Sequence, residues 1–348
     1  MRNVLNLTVR SRLIIAFVVI LLIPSLTIGW TSYQTAKDTV DKQMTISANE
    51  TVKLLNSNLD SFFKSEIQSI DYLADRITAD TYKSRNPILK TNILKPFLSK
   101  NPEMLEVYVG STDGLFIDAP IDKVPDGYDP RQRAWYQEAM NRKSEVIITS
   151  PYVSKTTGNV VVTIAKVIKD SSGVLGFDVN LNAIATITNQ VKIGQDGYAF
   201  IQDKNRKVVV HPTVKPGEVM NSDATEKIYQ SESGDFDYLL NGKAKAMVFT
   251  TNKLTGWKVG GTFYSDEVSK EAQPIFYKTV LVLFIALLVG AVIVYFIVNS
   301  ITKPLKSLVH ASEKIGQGDL TEVIQVKSND ELGQLGNSFN QMATNFAK

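Results

Sequence analysis

The run Tyr128-Asp129-Pro130-Arg131-Gln132-Arg133-Ala134-Trp135-Tyr136 gathers two arginines, two tyrosines, a tryptophan and an aspartate. A guanidinium such as that of Arg133 presents a planar fork of donors that matches a carboxylate bidentately. Trp135 can donate through its indole nitrogen and exclude solvent from that pair. Tyr128, Tyr136 and the more distant Tyr152 each offer an apolar face and a hydroxyl. Asp178, at the end of a predicted strand, can accept from a cationic amino group. A carboxylate grip and an ammonium grip across an aromatic box describe a site for a free α-amino acid. The same composition also fits a surface loop held by a structural Arg–Asp pair and aromatic packing.

Composition narrows the alternatives. The chain of 348 residues is long enough for two or three domains, and 44% hydrophobic with 21% charged residues is a globular balance. A formal net charge of +3, without a Lys/Arg block, gives no reason to expect nucleic acid as a partner. There is no cysteine, hence no disulfide or thiolate metal site. The only two histidines, His211 and His310, are far apart, which argues against a His-based catalytic or metal cluster. No catalytic residue, metal or cofactor is expected.

The elements that must hold the site are framed by two apolar runs. Leu13 to Trp30 covers about 27 Å as a helix, close to the hydrocarbon thickness of a bilayer. A secretory signal is the competing reading, but the run is long and no small-x-small cleavage site follows it. Thr279 to Val298 is a second run free of charge, too long to be a soluble helix apolar on every face. Arg2, Arg10 and Arg12 precede the first run, and Lys303 and Lys306 follow the second. Both termini are therefore expected in the cytoplasm, with the segment between the runs outside.

From Thr31 to about Asp80 one long helix is expected. Leu55, Leu59, Phe63, Ile67, Ile70 and Ile77 recur mostly three and four apart, and Pro87 is the first breaker. After Pro102 short β-prone runs take over. Leu105 to Gly110 and Leu115 to Ile117 flank a Ser-Thr-Asp-Gly turn and predict a hairpin, with strands to follow at 159–165 and 174–179. Near Gly194 a second lobe is expected. Its strands fall at 198–201, 208–210, 246–250 and 257–263, and its opening echoes the first hairpin. A helix followed by mainly antiparallel strands is an α+β pattern. Beyond the second run, Ile301, Leu305, Leu308, Ser312 and Ile315 form a short heptad seam. After a connector at 316–326, Leu332, Leu335, Phe339, Met342 and Phe346 form another.

At its site residues the chain resembles the double Cache sensors of bacterial chemoreceptors. Tyr128, Arg133, Trp135, Tyr136, Tyr152 and Asp178 match their amino-acid-sensing motif, within the phrases Asp129-Pro130-Arg131, Ser150-Pro151-Tyr152 and Gly176-Phe177-Asp178. The resemblance implies that Arg and Trp contact a ligand carboxylate while Asp178 takes the ammonium. One position departs: many amino-acid-binding members carry Asp two residues after the tyrosine matching Tyr152, and here Ser154 stands there. That leaves an organic acid, an amine or a sugar open as ligand. The C-terminal seams, with Pro304, Gly318-Asp319-Leu320 and Asp330-Glu331-Leu332-Gly333, resemble a HAMP relay.

The expected fold is α+β: a long N-terminal helix and two stacked, mainly antiparallel Cache (PAS-like) lobes, flanked by two membrane helices and a HAMP bundle. The expected division is a cytoplasmic start (1–12), a span (13–30), an outer sensor (31–278), a span (279–298) and HAMP (299–348). Within the sensor come a stalk helix (31–85), a membrane-distal lobe (about 86–190) and a membrane-proximal lobe (about 191–265). The resemblance implies the amino-terminal portion of a methyl-accepting chemotaxis receptor and a homodimer through the HAMP and membrane helices. It also implies a downstream kinase and adaptor acting on a cytoplasmic module beyond this chain. A sensor histidine kinase or a diguanylate cyclase shares the same sensor and relay.

Overall fold

Two antiparallel sheets built on the same plan form the body of the protein in a computed structural model. It describes residues 8–83, 88–120, 124–317, 319, 323 and 330–346. Pro87, Gly318, Leu320 and most of the connector expected at 316–326 lie outside the described residues.

The chain divides into two units, Thr39–Glu271 and Met1–Asp38 with Ala272–Lys348. Helix α1 covers Val9–Ala74 and α2 covers Ala79–Lys83. A π-helical turn, Leu89–Leu94, then leads into α3, Lys95–Lys100. The first sheet comprises β1 (Met104–Ser111), β2 (Phe116–Ala119), β3 (Ile147–Ile148), β4 (Tyr152–Val153), β5 (Val160–Val167) and β6 (Gly173–Asn180). Its order is β2-β1-β6-β5-β3, with β4 also on β5. Helix α4 (Ala134–Asn141) lies in sequence between β2 and β3, and α5 (Leu181–Asn189) follows β6. The second sheet comprises β7 (Tyr198–Gln202), β8 (Val208–Val210), β9 (Ser233–Leu240), β10 (Lys243–Thr251) and β11 (Lys258–Tyr264), with α6 (Asp223–Ile228) before β9. Its order is β8-β7-β11-β10-β9. Each sheet thus runs edge hairpin, last strand, penultimate strand, which gives the echo between the two hairpins a structural basis.

Helix α1 serves both sheets. Val52, Leu55, Leu59, Phe63 and Ile70 are buried in one core with Val107, Ile164 and Phe177 of the first sheet and Val209, Val248 and Phe263 of the second. Each fully buried Leu or Phe of that stripe stabilises the fold by about 1.5–3 kcal/mol. The helix ends at Ala74, short of the Asp80 expected from periodicity. The Ala74 carbonyl is taken by the Lys169 N–H at 3.0 Å, and Asp170 accepts from the Ala79 N–H at 2.7 Å. The turn after β5 therefore competes for the helix end, and Ile77 is turned into the core.

The other unit contains the start of α1 and most of α7 (Ser265–Gly316), together with α8 (Glu331–Phe346). Both long helices carry a stretch long and apolar enough to cross a membrane. Ile20, Leu26, Val282 and Phe296 are among their many exposed apolar side chains. Tyr33 and Phe276 meet edge to face at 5.2 Å between ring centroids. Asp330 caps α8 by accepting from the Leu332 N–H at 3.0 Å. Within one chain Leu308 and Ala311 are buried with Phe339 against them, while Leu335 and Met342 of the expected seam stay exposed.

Candidate functional site

The period of two along a strand gives the first sheet two different faces. Val107, Val109, Val162, Ile164, Leu175, Phe177 and Val179 face the core built on α1. The opposite face carries Tyr108, Ala165, Val167 and Val174 into a smaller cluster with Trp135, Tyr136, Ala139 and Ile147. On that second face the register sets Asp178 directly opposite both Glu106 and Thr163, and Tyr108 opposite Asp118 and Gly176. Polar groups from four strands are thus aligned where the sequence shows isolated residues.

Asp178 is buried and holds a tight set of donors. Its Oδ1 accepts from the Tyr108 hydroxyl at 2.6 Å and the Thr163 hydroxyl at 2.6 Å. With the Thr163 proton committed to Asp178, the Tyr152 hydroxyl, 2.7 Å away, donates to Thr163. Burial pushes the Asp178 carboxyl up to about 6, and the hydrogen bonds from Thr163 and Tyr108 keep it from rising further. The Tyr108 and Tyr152 hydroxyls are pushed up by burial and then by the Asp178 charge, so both remain neutral donors.

The loop carrying the arginines is sorted by local hydrogen bonds. Asp129 accepts from the Arg131 N–H at 3.0 Å and pairs with its guanidinium, Nη2 to Oδ2 at 2.8 Å. Pro130 begins a 3-10 turn over Pro130–Gln132, which places Arg133 in extended backbone as the residue before α4. Arg131 is therefore the structural arginine. Arg133 has no acidic partner among the described residues, and its guanidinium carbon lies 5.8 Å from the Tyr128 ring centre. The sequence run contains both the surface Arg–Asp pair and a second, unpaired guanidinium.

Aromatic rings wall this space. Phe116 contacts Tyr128 at 4.6 Å and Tyr108 at 5.2 Å between centroids, and Trp135 lies 4.8 Å from Tyr108. Two glycines make the close approach possible. A Cβ at Gly176 would lie 2.3 Å from Tyr108 Cε2, and one at Gly110 would lie 2.7 Å from Pro130 and 2.8 Å from Trp135. Tyr108 can lie flat across β6 and reach Asp178 only over a residue without a side chain.

Of the residues expected at the site, Tyr128, Arg133, Trp135, Tyr152, Ser154 and Asp178 are coupled by contact or charge. Tyr128 hydrogen-bonds with Trp135 and feels Arg133 and Asp178. Tyr136 is buried in the same aromatic cluster, but the charges around its hydroxyl are Arg131, Asp129 and Asp113, not Asp178. Sequence reasoning missed Tyr108, Thr163, Glu106, Asp118 and Thr156. For the first four, alternation with apolar neighbours on β1, β2 and β5 was the available signal; Thr156 lies in the turn between β4 and β5 and carried none.

Comparisons with known proteins add an independent view. The Cache-domain family dCache_1 matches residues 32–272, and the HAMP domain matches residues 296–348. A probable methyl-accepting chemotaxis protein of Bacillus thuringiensis subsp. konkukian is 43% identical over 97% of this chain and 51% of that protein. The methyl-accepting chemotaxis protein TlpB of Bacillus subtilis is 38% identical over 97% and 51%. The chain spans about half the length of these curated relatives. Among solved structures, the ligand-binding domain of the Pseudomonas aeruginosa amino acid chemoreceptor PctB with L-Gln is 27% identical, with a TM-score of 0.54. It covers 64% of this chain and 91% of its own. That of the Pseudomonas fluorescens chemoreceptor CtaA with L-isoleucine is 25% identical, with a TM-score of 0.55, over 68% and 98%.

Proposed function

Since the chain belongs to the dCache_1 family of Cache domains and continues into a HAMP domain, we propose that it is the sensor and relay portion of a transmembrane chemoreceptor that binds a free amino acid. The observation that carries this reading is a separation of charge. Arg133 has no acidic partner among the described residues, and buried Asp178 has no cationic one, with Tyr128, Trp135, Tyr108 and Tyr152 between them. An α-amino acid supplies both missing partners at once. Arg133 and the Trp135 indole hold its carboxylate, Asp178 holds its ammonium, and Tyr128, Tyr136, Tyr152 and Ser154 complete the wall. The pocket binds and does no chemistry.

The domain division follows the same reading. Residues 13–30 and 279–298 cross the membrane, 31–278 lies outside the cell, and both termini lie in the cytoplasm. The lobe containing Asp178 is the membrane-distal one. Two copies pair through their HAMP and membrane helices, and a kinase and adaptor read the state of a cytoplasmic module. An amino acid shifts the receptor only insofar as it binds one conformation better than another. Closure of the first lobe on its ligand displaces the second span, and the HAMP helices repack.

Calorimetry of the chain in lipid nanodiscs against the twenty L-amino acids tests the reading. At least one is expected to bind. Arg133→Ala is expected to weaken that amino acid by about 2–5 kcal/mol, the range for removing one partner of a buried charged pair. Unchanged affinity in Arg133→Ala would remove the carboxylate assignment.

A further inference from the structure

Asp178 is not the only unmatched carboxyl on this face. Glu106 is its direct cross-strand neighbour on β1 and is fully buried. Thr156 donates to Glu106 Oε2 at 2.5 Å, while Glu106 Oε1 has no hydrogen-bond partner. Thr156 is in turn 2.9 Å from the Ser154 hydroxyl. Because Thr156 spends its one proton on Glu106, Ser154 gives its own to Thr156 and cannot give it to Asp178 at the same time. Ser154 therefore brings no charge and at most an alternating hydrogen bond to the pocket.

The third acid, Asp118, is matched at one oxygen only; its Oδ2 finds no donor, and its carboxyl lies against that of Glu106. Lys90 lies 3.6 Å from its Oδ1. No cation pairs with Glu106 or Asp178 among the described residues. Burial pushes the Glu106 carboxyl above the usual range, the Thr156 hydrogen bond opposes this, and the Asp178 and Asp118 charges add to the rise. A buried carboxyl with an unpartnered oxygen is destabilising where it stands. Its position beside Asp178 gives that arrangement a use.

From this geometry we infer that Glu106 is a second acceptor for the ligand's ammonium group, acting beside Asp178 and making the pocket select amines over their neutral counterparts. The inference rests on the amino-acid reading above and assigns the specificity of that same site. An ammonium carries three donors, and Tyr108 and Thr163 already occupy Asp178 Oδ1. Glu106 Oε1 gives one of those donors an acceptor on the neighbouring strand, and an ammonium there favours the ionised form of a carboxyl that burial pushes up to about 8. The Ser154–Thr156 pair holds the other Glu106 oxygen in place.

The test compares two probes on the chain in nanodiscs. They are the L-amino acid that binds most tightly and the 2-hydroxy acid with the same side chain, which keeps the carboxylate and lacks the ammonium. Glu106→Gln is expected to reduce the preference for the amino acid by about tenfold to a hundredfold, through weaker amino-acid binding with little change for the hydroxy acid. Adding Ser154→Asp to Glu106→Gln is expected to restore much of the preference, since it returns a carboxylate one hydroxyl away. A preference within about twofold of wild type in Glu106→Gln overturns the inference alone. So does an equal loss for both probes that Ser154→Asp does not rescue, which marks a structural role. Wild-type chain that binds none of the amino acids overturns the amino-acid reading and this inference with it.

Discussion

At the scale of single residues, the site is organised by what is left unpaired. Arg131 and Asp129 neutralise each other, the guanidinium two positions on has no acidic partner among the described residues, and the donors that these give Asp178 are neutral. That arrangement gives Asp178 a measurable signature. Its carboxyl is held near 6 by burial, above the ordinary aspartate value. A raised carboxyl contributes its stability fully below the unfolded value, and loses it as pH rises through the folded one. The unliganded chain is therefore expected to lose stability between about pH 4 and 6, on the order of 3 kcal/mol from this residue. An ammonium ligand favours the ionised form, so amino-acid affinity is expected to climb as pH rises through 6. Thermal melts and titrations of wild type and Asp178→Asn over pH 4–8 check both. Affinity that does not change across pH 6 in wild type would separate Asp178 from the ammonium. Arg133, Trp135 and Asp178 were legible in the sequence because their side-chain chemistry is distinctive. That Asp129 ties down Arg131 was not, because it depends on a turn of three residues whose aspartate could pair either way. Tyr108, Thr163 and Glu106 were hidden for a different reason: strand register brings them to Asp178 from distant parts of the chain.

Among elements, the strands that the sequence announced best are those in the middle of sheets. β5 and β6 are apolar runs bounded by turns, and β1 and β7 begin hairpins whose turn residues are explicit. Strands β3 and β4, two residues each, carry no periodicity of their own and exist because β5 offers an edge. Strand β9 alternates in burial but is exposed over much of its length, so its pattern lacks the apolar contrast that marks a core strand. Glycine placement was readable only in the structure. Gly176 sits in a strand buried through all but its last residue, where an alanine would suit the strand better by propensity. The ring of Tyr108 occupies the space its Cβ would need, 2.3 Å away. Gly176→Ala is expected to push Tyr108 off Asp178, lower stability by about 1–3 kcal/mol and weaken amino-acid binding. Chemical denaturation and calorimetry of the same variant read both effects. Unaltered binding would mean that the Tyr108–Asp178 contact is dispensable.

For the whole molecule, the repeat of sheet order shows that one α+β plan was used twice, with α1 as a shared spine. Only one of the two lobes carries the acid–aromatic face described above, and residues 8–38 and 272–317 supply helices whose exposed apolar sides ask for a different solvent. The HAMP helices raise the last question, that of a second copy. α7 and α8 meet within one chain through Leu308, Ala311 and Phe339, yet Leu335 and Met342 are left 45% and 49% exposed. An α-helical stripe with apolar residues still outward is one that a further helix pair can cover. The chain has no cysteine, so a single introduced thiol reports only its own neighbours. In membranes under mild oxidation, Met342→Cys is expected to give disulfide-linked dimers. Thr344→Cys, about half a turn around α8, is expected to give few. Adding an amino acid that binds the sensor is expected to change the rate of Met342→Cys cross-linking, because the relay must differ between the two states it reports. Equal yields from the two cysteines would place the dimer seam elsewhere, and a rate indifferent to a bound amino acid would uncouple these helices from the pocket around Asp178.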